Sequence, residues 1–234
     1  MPFSSIEPRR LYRQIADQIR TLIRSGEFEA GARLPPERDL ARQLGVSRPS
    51  VREALIALEV EGLVDVRIGS GIYIRPAPAS SAVLAAPDAA AGPFEVLQAR
   101  RLVEAQCAAL AAKTAKDVQV EAIEEALAEM EKEFAAGSKP LAADRLFHLR
   151  IAEATGNGAL VYVVRLLWEE RAGPLYKQLE QHYNAPTLWQ SAIKEHRAIA
   201  KAIAAHDGNA ARETMQRHLD HAYKRFSKSW DTQK

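Results

Sequence analysis

Hydrophobic positions divide the chain into an N-terminal third of mixed periodicity and a longer remainder that is helical throughout. A first helix is predicted by apolar residues at helical spacing, namely Leu11, Ile15, Ile19, Leu22 and Ile23. It ends at Gly26, and a second short helix follows from Pro36 to Gly45. The start of the chain therefore predicts two helices joined by a turn.

A third helix is predicted directly after Gly45. Ser47 can cap its first turn, where Pro49 is tolerated because the backbone N–H groups there lack helical partners. Val51, Leu55 and Leu58 fall at i, i+4 and i+7, and they predict the face that packs on the first two helices. Two helices joined by a tight turn that contains glycine are typical of a helix-turn-helix.

A β-hairpin is predicted next, because two alternating apolar runs flank the turn Gly69–Gly71. Val64, Val66 and Ile68 are predicted to point inward. Glycine at the tip allows a close approach to a sugar–phosphate backbone. This hairpin would be a wing that reaches the minor groove of DNA.

The stretch from Arg75 to Pro93 is rich in proline, alanine and serine, and it predicts a linker. Beyond it, helical stretches are predicted at 94–114, 117–136, 141–155, 158–171, 175–182, 188–206 and 210–230. We therefore predict a mainly α protein with a winged helix-turn-helix domain at 1–75 and a linker at 76–93. An all-α bundle of about six helices would occupy 94–234.

Composition narrows the class of protein. Cys107 is the one cysteine, which excludes a disulfide framework and a cysteine-based zinc finger. The first residues lack the apolar core of a secretory signal, and the chain shows no membrane span, so we expect a cytoplasmic protein. The net charge of +2 resides in the first 75 residues, which hold twelve arginines against ten acids.

Arginine placement favours DNA as the partner of the N-terminal third. Arg48 and Arg52 lie one turn apart near the start of the third helix, with Ser47 and Ser50 beside them. Recognition helices contact base edges with such N-terminal residues, and arginine suits guanine edges and phosphates. The alternative is a small α+β domain with a solvated arginine face.

Histidines supply a second chemical signal. Asp144 and His148 are at i and i+4 on one predicted helix, while His196 and His218 lie in the middle of two later helices. A carboxylate and three imidazoles can enclose Zn²⁺, Ni²⁺ or Mn²⁺. Spacing alone leaves other histidines open as ligands, among them His182, His206 and His221.

The run LPPERDLARQLGVSRPSVREALIALEVEGLVDVRIGSGIYI resembles the DNA-binding domain of GntR-type bacterial transcription regulators, over residues 9–75. The resemblance implies operator contacts from Arg38, Arg48, Arg52 and Gly69, with Ser47 and Ser50 close by. Pro49 departs from the pattern, because some members carry threonine there and use it on DNA, whereas proline cannot donate.

The helical half resembles the ligand-binding domain of the fatty-acid-regulator (FCD) subgroup. Its metal-dependent members carry D-x-x-x-H and two later histidines, which implies a divalent metal at Asp144, His148, His196 and His218. The resemblance also implies that Arg100 pairs with the carboxylate of an effector, although a simple i, i+4 ion pair with Glu104 is an alternative. Asn157 matches a family asparagine near the cavity, and it could equally be a helix cap.

A finer resemblance joins EPRRLYRQIA, LEVEGLVDVRIGSGI, GPFEVLQARRLVE and FHLRIAEATGN to repressors of hexuronate catabolism. It implies a hexuronate or a breakdown product as effector. We expect a homodimeric repressor, not an enzyme, that binds palindromic operator DNA and responds to a small carboxylic acid. The alternatives are a metal-dependent hydrolase with a DNA-binding head, a constitutive architectural protein, and a related regulator of lactate, gluconate or a dicarboxylate.

Overall fold

The computed structural model describes residues 10–76, 91–183, 186–228 and 230. Their first part contains α1 (Leu11–Arg24), α2 (Glu37–Leu44), α3 (Arg48–Val60), β1 (Val64–Arg67) and β2 (Gly71–Ile74). The second part contains α4 (Pro93–Thr114), α5 (Asp117–Ala135), α6 (Leu141–Ala154), α7 (Gly158–Arg171), α8 (Pro174–Gln181), α9 (Pro186–Ala204) and α10 (Gly208–Phe226). The described residues are thus mainly helical, as the hydrophobic periodicity predicts, and most of the predicted linker lies outside them.

The first compact unit is a winged helix-turn-helix. Helix α3 packs against α1 and α2, and its residues Val51, Leu55 and Leu58 are fully buried, as predicted. Gly45 adopts a left-handed conformation at the end of α2, which lets the chain turn into α3. Strands β1 and β2 pair antiparallel, with Val64 opposite Ile74, and form the wing.

Three residues of the apolar patterns that predict the first helix and the hairpin are exposed. Leu11 and Leu22 are 47% and 41% exposed, because Tyr12 and Ala16 join Ile15 and Ile19 on the buried side of α1. Ile68 is 52% exposed because β1 ends at Arg67, so the inward–outward alternation stops one residue earlier.

The second compact unit consists of six helices, α4, α5, α6, α7, α9 and α10. Helix α5 packs on α6 and α9, while α6 packs on α7 and α9 on α10. Apolar stripes supply its core, as in α10, where Ala211, Met215, Leu219 and Ala222 are buried. His218 lies within that same stripe, which places an imidazole inside the core.

Two segments that the sequence assigned to the C-terminal half belong to the first unit. They are α8 and the described residues after α10, which are Ser227, Lys228 and Trp230. Helix α8 packs on α3, so the first unit draws on three separate parts of the chain. No helix among the described residues has the length and hydropathy that crossing a membrane requires.

Candidate functional site

The start of α3 carries two of the residues predicted to bind DNA. Ser47 caps the helix, since its Oγ accepts a hydrogen bond from the backbone N–H of Ser50 at 3.3 Å. The two hydroxyl groups also lie 2.9 Å apart. Pro49 fits this first turn because no helical acceptor is required of it there. The cap holds both serines at the exposed N-terminus of the recognition helix.

A single buried carboxylate organises the two arginines of α3. Glu37, which has no exposed surface, accepts hydrogen bonds from Nε of Arg48 at 2.9 Å and from Nε of Arg52 at 2.9 Å. Nη2 of Arg52 donates a further bond to Glu37 at 2.5 Å. The Arg48 side chain is 42% exposed, although its Nη2 is buried and has no hydrogen-bond partner among the described residues. Glu37 therefore orients Arg48 while part of the side chain stays accessible.

Arg52, which the sequence predicts as a DNA contact, is buried in this structure. Its side chain is only 1% exposed, and its guanidinium lies 4.8 Å from the ring centre of Trp230. Spacing along α3 places Arg52 one turn after Arg48, but it does not reveal that Trp230 packs on this position.

The two remaining predicted contacts lie at the surface of the first unit. The side chain of Arg38 is 75% exposed at the start of α2. Gly69 is exposed in the wing turn with a φ of +77°, a conformation that favours glycine. Its backbone N–H donates to the carbonyl oxygen of Trp230 at 2.7 Å.

In the second unit, the three histidines singled out from the sequence meet. His148 of α6, His196 of α9 and His218 of α10 are buried, and each offers a ring nitrogen within 4.8 Å of the other two. Nε2 of His148 lies 3.2 Å from Nε2 of His196. Oδ1 of Asp144 lies 3.0 Å from the His196 nitrogen and 3.6 Å from the His148 nitrogen. All four predicted ligands thus form one cluster.

The opposite nitrogen of each ring faces an acceptor outside the cluster. Nδ1 of His148 lies 2.5 Å from Oε2 of Glu104, and Nδ1 of His218 lies 2.8 Å from Oε2 of Glu195. Nδ1 of His196 donates to the carbonyl oxygen of Ala192 at 2.7 Å. Metal-bound histidines are oriented in this way, because an acceptor at one nitrogen leaves the lone pair of the other for the ion.

Burial and neighbouring charges set the ionisation of the cluster. Burial raises the pKa of Glu104, but Arg100 and His148 outweigh it and lower that pKa to about 2. Arg171, 2.6 Å from Asp144, likewise holds the pKa of that carboxyl well below its usual range despite burial.

Burial, assisted by His196, lowers the pKa of His218 to about 3. The side chain of His218 therefore stays neutral near pH 7, which is the form of imidazole that binds a metal.

Arg100 borders the cluster without being one of its ligands. Its Nε donates to Oε1 of Glu104 at 2.7 Å, and its guanidinium lies 4.1 Å from the ring centre of Trp168. The guanidinium of Arg171 lies 4.6 Å from the same ring. The cluster thus adjoins two cations and an aromatic face. The sequence pattern did not single out Arg171 or Glu195, because their roles depend on contacts between helices.

Asn157 lies apart from this cluster. It is exposed, and its Oδ1 accepts hydrogen bonds from the backbone N–H groups of Ala159 and Leu160, at 3.0 and 3.3 Å. The capping alternative considered from the sequence therefore describes its position. Of the competing histidines, His221 is 43% exposed and contacts Glu195 rather than the cluster.

Together, the winged helix with its ordered arginine and the helical unit with its buried histidine centre define a DNA-binding regulator with a sensory domain. Residues 11–74 match the bacterial regulatory proteins of the gntR family, and residues 95–221 match the FCD domain. The chain belongs to the GntR family of transcription regulators and carries an FCD domain. Both families are regulators, so the expectation that the protein is not an enzyme is confirmed.

Relatives from Escherichia coli K12 support this assignment along nearly the whole chain. The chain is 38% identical over 230 residues to the Uxu operon transcriptional regulator, covering 95% of this chain and 89% of that protein. It is 39% identical over 221 residues to the Exu regulon transcriptional regulator, with 92% and 83% covered. The solved structure of E. coli McbR/YncC shares the fold, with a TM-score of 0.52 at 22% identity, over 93% of this chain and 97% of that one.

Proposed function

We propose that this regulator is a homodimeric repressor that holds a divalent metal in its FCD domain and releases its operator when a small carboxylic acid binds there. Asp144, His148, His196 and His218 would hold the ion. The operator contacts would come from Arg38, Ser47, Arg48, Ser50, Arg52 and Gly69, on a palindromic site. Arg100 would pair with the carboxylate of the effector.

The observation that carries the metal proposal is the convergence of three imidazoles whose other nitrogens face acceptors. With hydrogens on the Nδ1 atoms, the Nε2 atoms of His148 and His196 present lone pairs to each other at 3.2 Å. Such an arrangement favours positive charge between the rings, in agreement with the pKa of His148, which burial lowers but Glu104 and Asp144 together raise above its ordinary value. Three imidazoles and a carboxylate form a donor set that suits Zn²⁺, Ni²⁺ or Mn²⁺. Bound there, the ion would supply positive charge and coordination positions to an acid.

The charge balance of the cluster favours an anionic effector. Glu104 and Asp144 are each matched by an arginine, Arg100 and Arg171, and His218 is neutral. A divalent ion therefore adds charge that an incoming carboxylate offsets. Trp168 offers an apolar ring beside both arginines, which suits the carbon skeleton of a small acid.

The relatives named as Uxu and Exu regulators favour a hexuronate among such acids. Because Arg100 is bound to Glu104, an effector carboxylate would have to compete with that pair. Binding would then change the packing between α4 and α6, since Glu104 also contacts His148.

Replacing His196 tests the metal site. We expect His196→Ala to lose at least tenfold in metal affinity, because the ring supplies one of the converging nitrogens. Elemental analysis and titration with Zn²⁺, Ni²⁺ and Mn²⁺ measure this. His221→Ala is the matched control, since it removes a nearby imidazole outside the cluster. Equal metal content in wild type and His196→Ala would contradict the proposal.

Dimerisation is typical of this family, and one face of α7 fits that role. Tyr162, Val163 and Leu166 are 63%, 38% and 42% exposed, although they occupy adjacent positions on the helix surface. Contiguous exposed apolar side chains mark association surfaces. A second copy of this chain is the occupant we propose, because one recognition helix reads only a few base pairs and a palindrome requires two.

A charge on this face should therefore weaken the dimer. We expect Leu166→Asp to raise the dimer dissociation constant at least tenfold, because the carboxylate would lose water at the interface. Sedimentation velocity over a concentration series measures this. Val118→Asp serves as control, since Val118 is 65% exposed on a different helix, α5. A dimer that is equally stable in both variants would place the interface elsewhere.

A further inference from the structure

The residue Trp230 occupies the surface of the first unit that the proposed function assigns to DNA. Its side chain is 2% exposed, and its ring centre lies 4.8 Å from the guanidinium of Arg52. The carbonyl oxygen of Trp230 accepts the backbone N–H of Gly69 at 2.7 Å. One residue near the C-terminus thus engages both the recognition helix and the tip of the wing.

The residue that follows helix α8 also packs against Trp230. The ring of His182, which follows α8, lies 5.3 Å from the ring of Trp230. Nε2 of His182 donates to Oε2 of Glu59 in α3 at 2.6 Å, and Oε1 of Glu59 accepts the backbone N–H of Val66 in the wing. Trp230 is therefore seated against α3, the wing and the end of α8.

Trp230 contacts two groups that the proposed operator complex also requires, the Arg52 guanidinium and the Gly69 N–H. A guanidinium cannot donate to a base or a phosphate while it is 1% exposed, and the N–H of Gly69 cannot bind a phosphate oxygen while it binds Trp230. Two of the six proposed operator contacts are therefore blocked. Arg38 and Arg48 keep 75% and 42% of their side-chain surface exposed, so part of the DNA-binding surface remains available.

The contacts that hold the Trp230 ring in place can also break. Its indole Nε1 is buried without a hydrogen-bond partner among the described residues. A buried donor without an acceptor weakens the closed state, because it regains a hydrogen bond to water when the ring leaves. The cation–π contact with Arg52 and the backbone hydrogen bond with Gly69 are each weak interactions.

We infer that Trp230 is an autoinhibitory cover that competes with operator DNA for Arg52 and Gly69. This inference rests on the proposed operator contacts of those two residues. In the closed form the regulator binds DNA through a partial surface, and in the open form Arg52 and Gly69 complete it. Any condition that favours release of Trp230 then strengthens operator binding.

The order of elements along the chain connects this cover to the histidine centre. Helix α10, which carries His218, ends at Phe226, four residues before Trp230. Helix α8 lies between Arg171 at the end of α7 and α9, which carries His196. The segments that contact α3 therefore lie next in the chain to helices that supply the metal ligands, so a ligand-induced shift of those helices can change the balance between the closed and open forms.

Substitution of Trp230 in the full-length regulator tests the inference. We expect Trp230→Ala to bind operator DNA about tenfold more tightly, because the variant no longer populates the closed form, which binds DNA more weakly than the open one. Trp230→Phe keeps a ring over Arg52 and should stay near the wild-type affinity. Fluorescence anisotropy with a labelled operator measures both, and circular dichroism checks that each variant is folded.

Two further measurements, the operator affinity of Arg48→Ala and the quenching of Trp230, separate the possible outcomes. Arg48→Ala tests the proposed operator surface itself, so an unchanged Trp230→Ala together with a weakened Arg48→Ala would overturn the cover alone. Operator affinity that is unaffected by Arg48→Ala would instead count against the proposed function. Acrylamide quenching of wild type minus that of Trp230→Phe reports on Trp230 directly, and it should rise when operator is added. Unchanged protection of Trp230 in the DNA complex would overturn the inference even if Trp230→Ala fails to fold.

Discussion

Glu37→Ala is expected to lower the free energy of unfolding of the first unit by about 3–5 kcal/mol. Glu37 is fully buried and is bound to the guanidinium groups of Arg48 and Arg52. Its removal leaves the buried charge of Arg52 without its carboxylate partner, which costs far more than the loss of an exposed ion pair. Urea denaturation followed by circular dichroism measures the change.

The same substitution should abolish operator binding at temperatures where the variant is still folded. Without Glu37, the Arg48 guanidinium loses the carboxylate that orients it, so its approach to DNA loses its fixed geometry. Glu29→Ala is the matched control, because Glu29 is exposed in the same unit. A Glu37→Ala variant as stable as Glu29→Ala would show that the three-residue cluster contributes little to folding.

Divalent metal is expected to raise the melting temperature of the regulator by about 5–10 °C. A ligand present at a hundred times its dissociation constant stabilises the folded state by about 2.7 kcal/mol, and each kcal/mol is worth about 2–4 °C in a chain of this size. The effect should be large because the buried imidazoles and Asp144 are already assembled. A thermal-shift series with Zn²⁺, Ni²⁺, Mn²⁺ and chelator measures it.

An acid that acts through the metal should add its own stabilisation only when metal is present. Galacturonate and glucuronate are the expected ligands, with lactate, gluconate and dicarboxylates as comparison arms. His148→Ala should remove both the metal shift and the acid shift, whereas His221→Ala should keep both. A shift with acid that survives chelator would show that Arg100 and its neighbours bind the effector without the ion.

Much of the fold could be predicted from local sequence. Gly45 marks the end of α2 and Ser47 the start of the recognition helix, because capping and left-handed turns depend on neighbouring residues alone. The helices of the C-terminal half follow from apolar periodicity, and Asp144 and His148 share a face because they are four residues apart. His218 lies in the buried apolar stripe of α10, which is a local signal that the sequence analysis did not use.

Several surroundings of the predicted site residues depend on groups that are distant in sequence. Arg52 remains a predicted DNA contact, and Trp230, far along the chain, packs on its guanidinium. Asn157 was predicted either near an effector cavity or as a helix cap, and it caps α7 at the surface. Glu195 gained a role that spacing could not show, because it contacts His218 on another helix.

The amino-acid sequence by itself determined where helices begin and end, which faces they bury and which residue types could bind DNA or a metal. These properties arise from interactions within a few residues, so a linear pattern records them. Only the tertiary structure decided that three histidines from three helices converge, that Glu37 holds two arginines and that Trp230 covers one of them. Such contacts depend on how separate elements pack, and no periodicity within a single element encodes that packing.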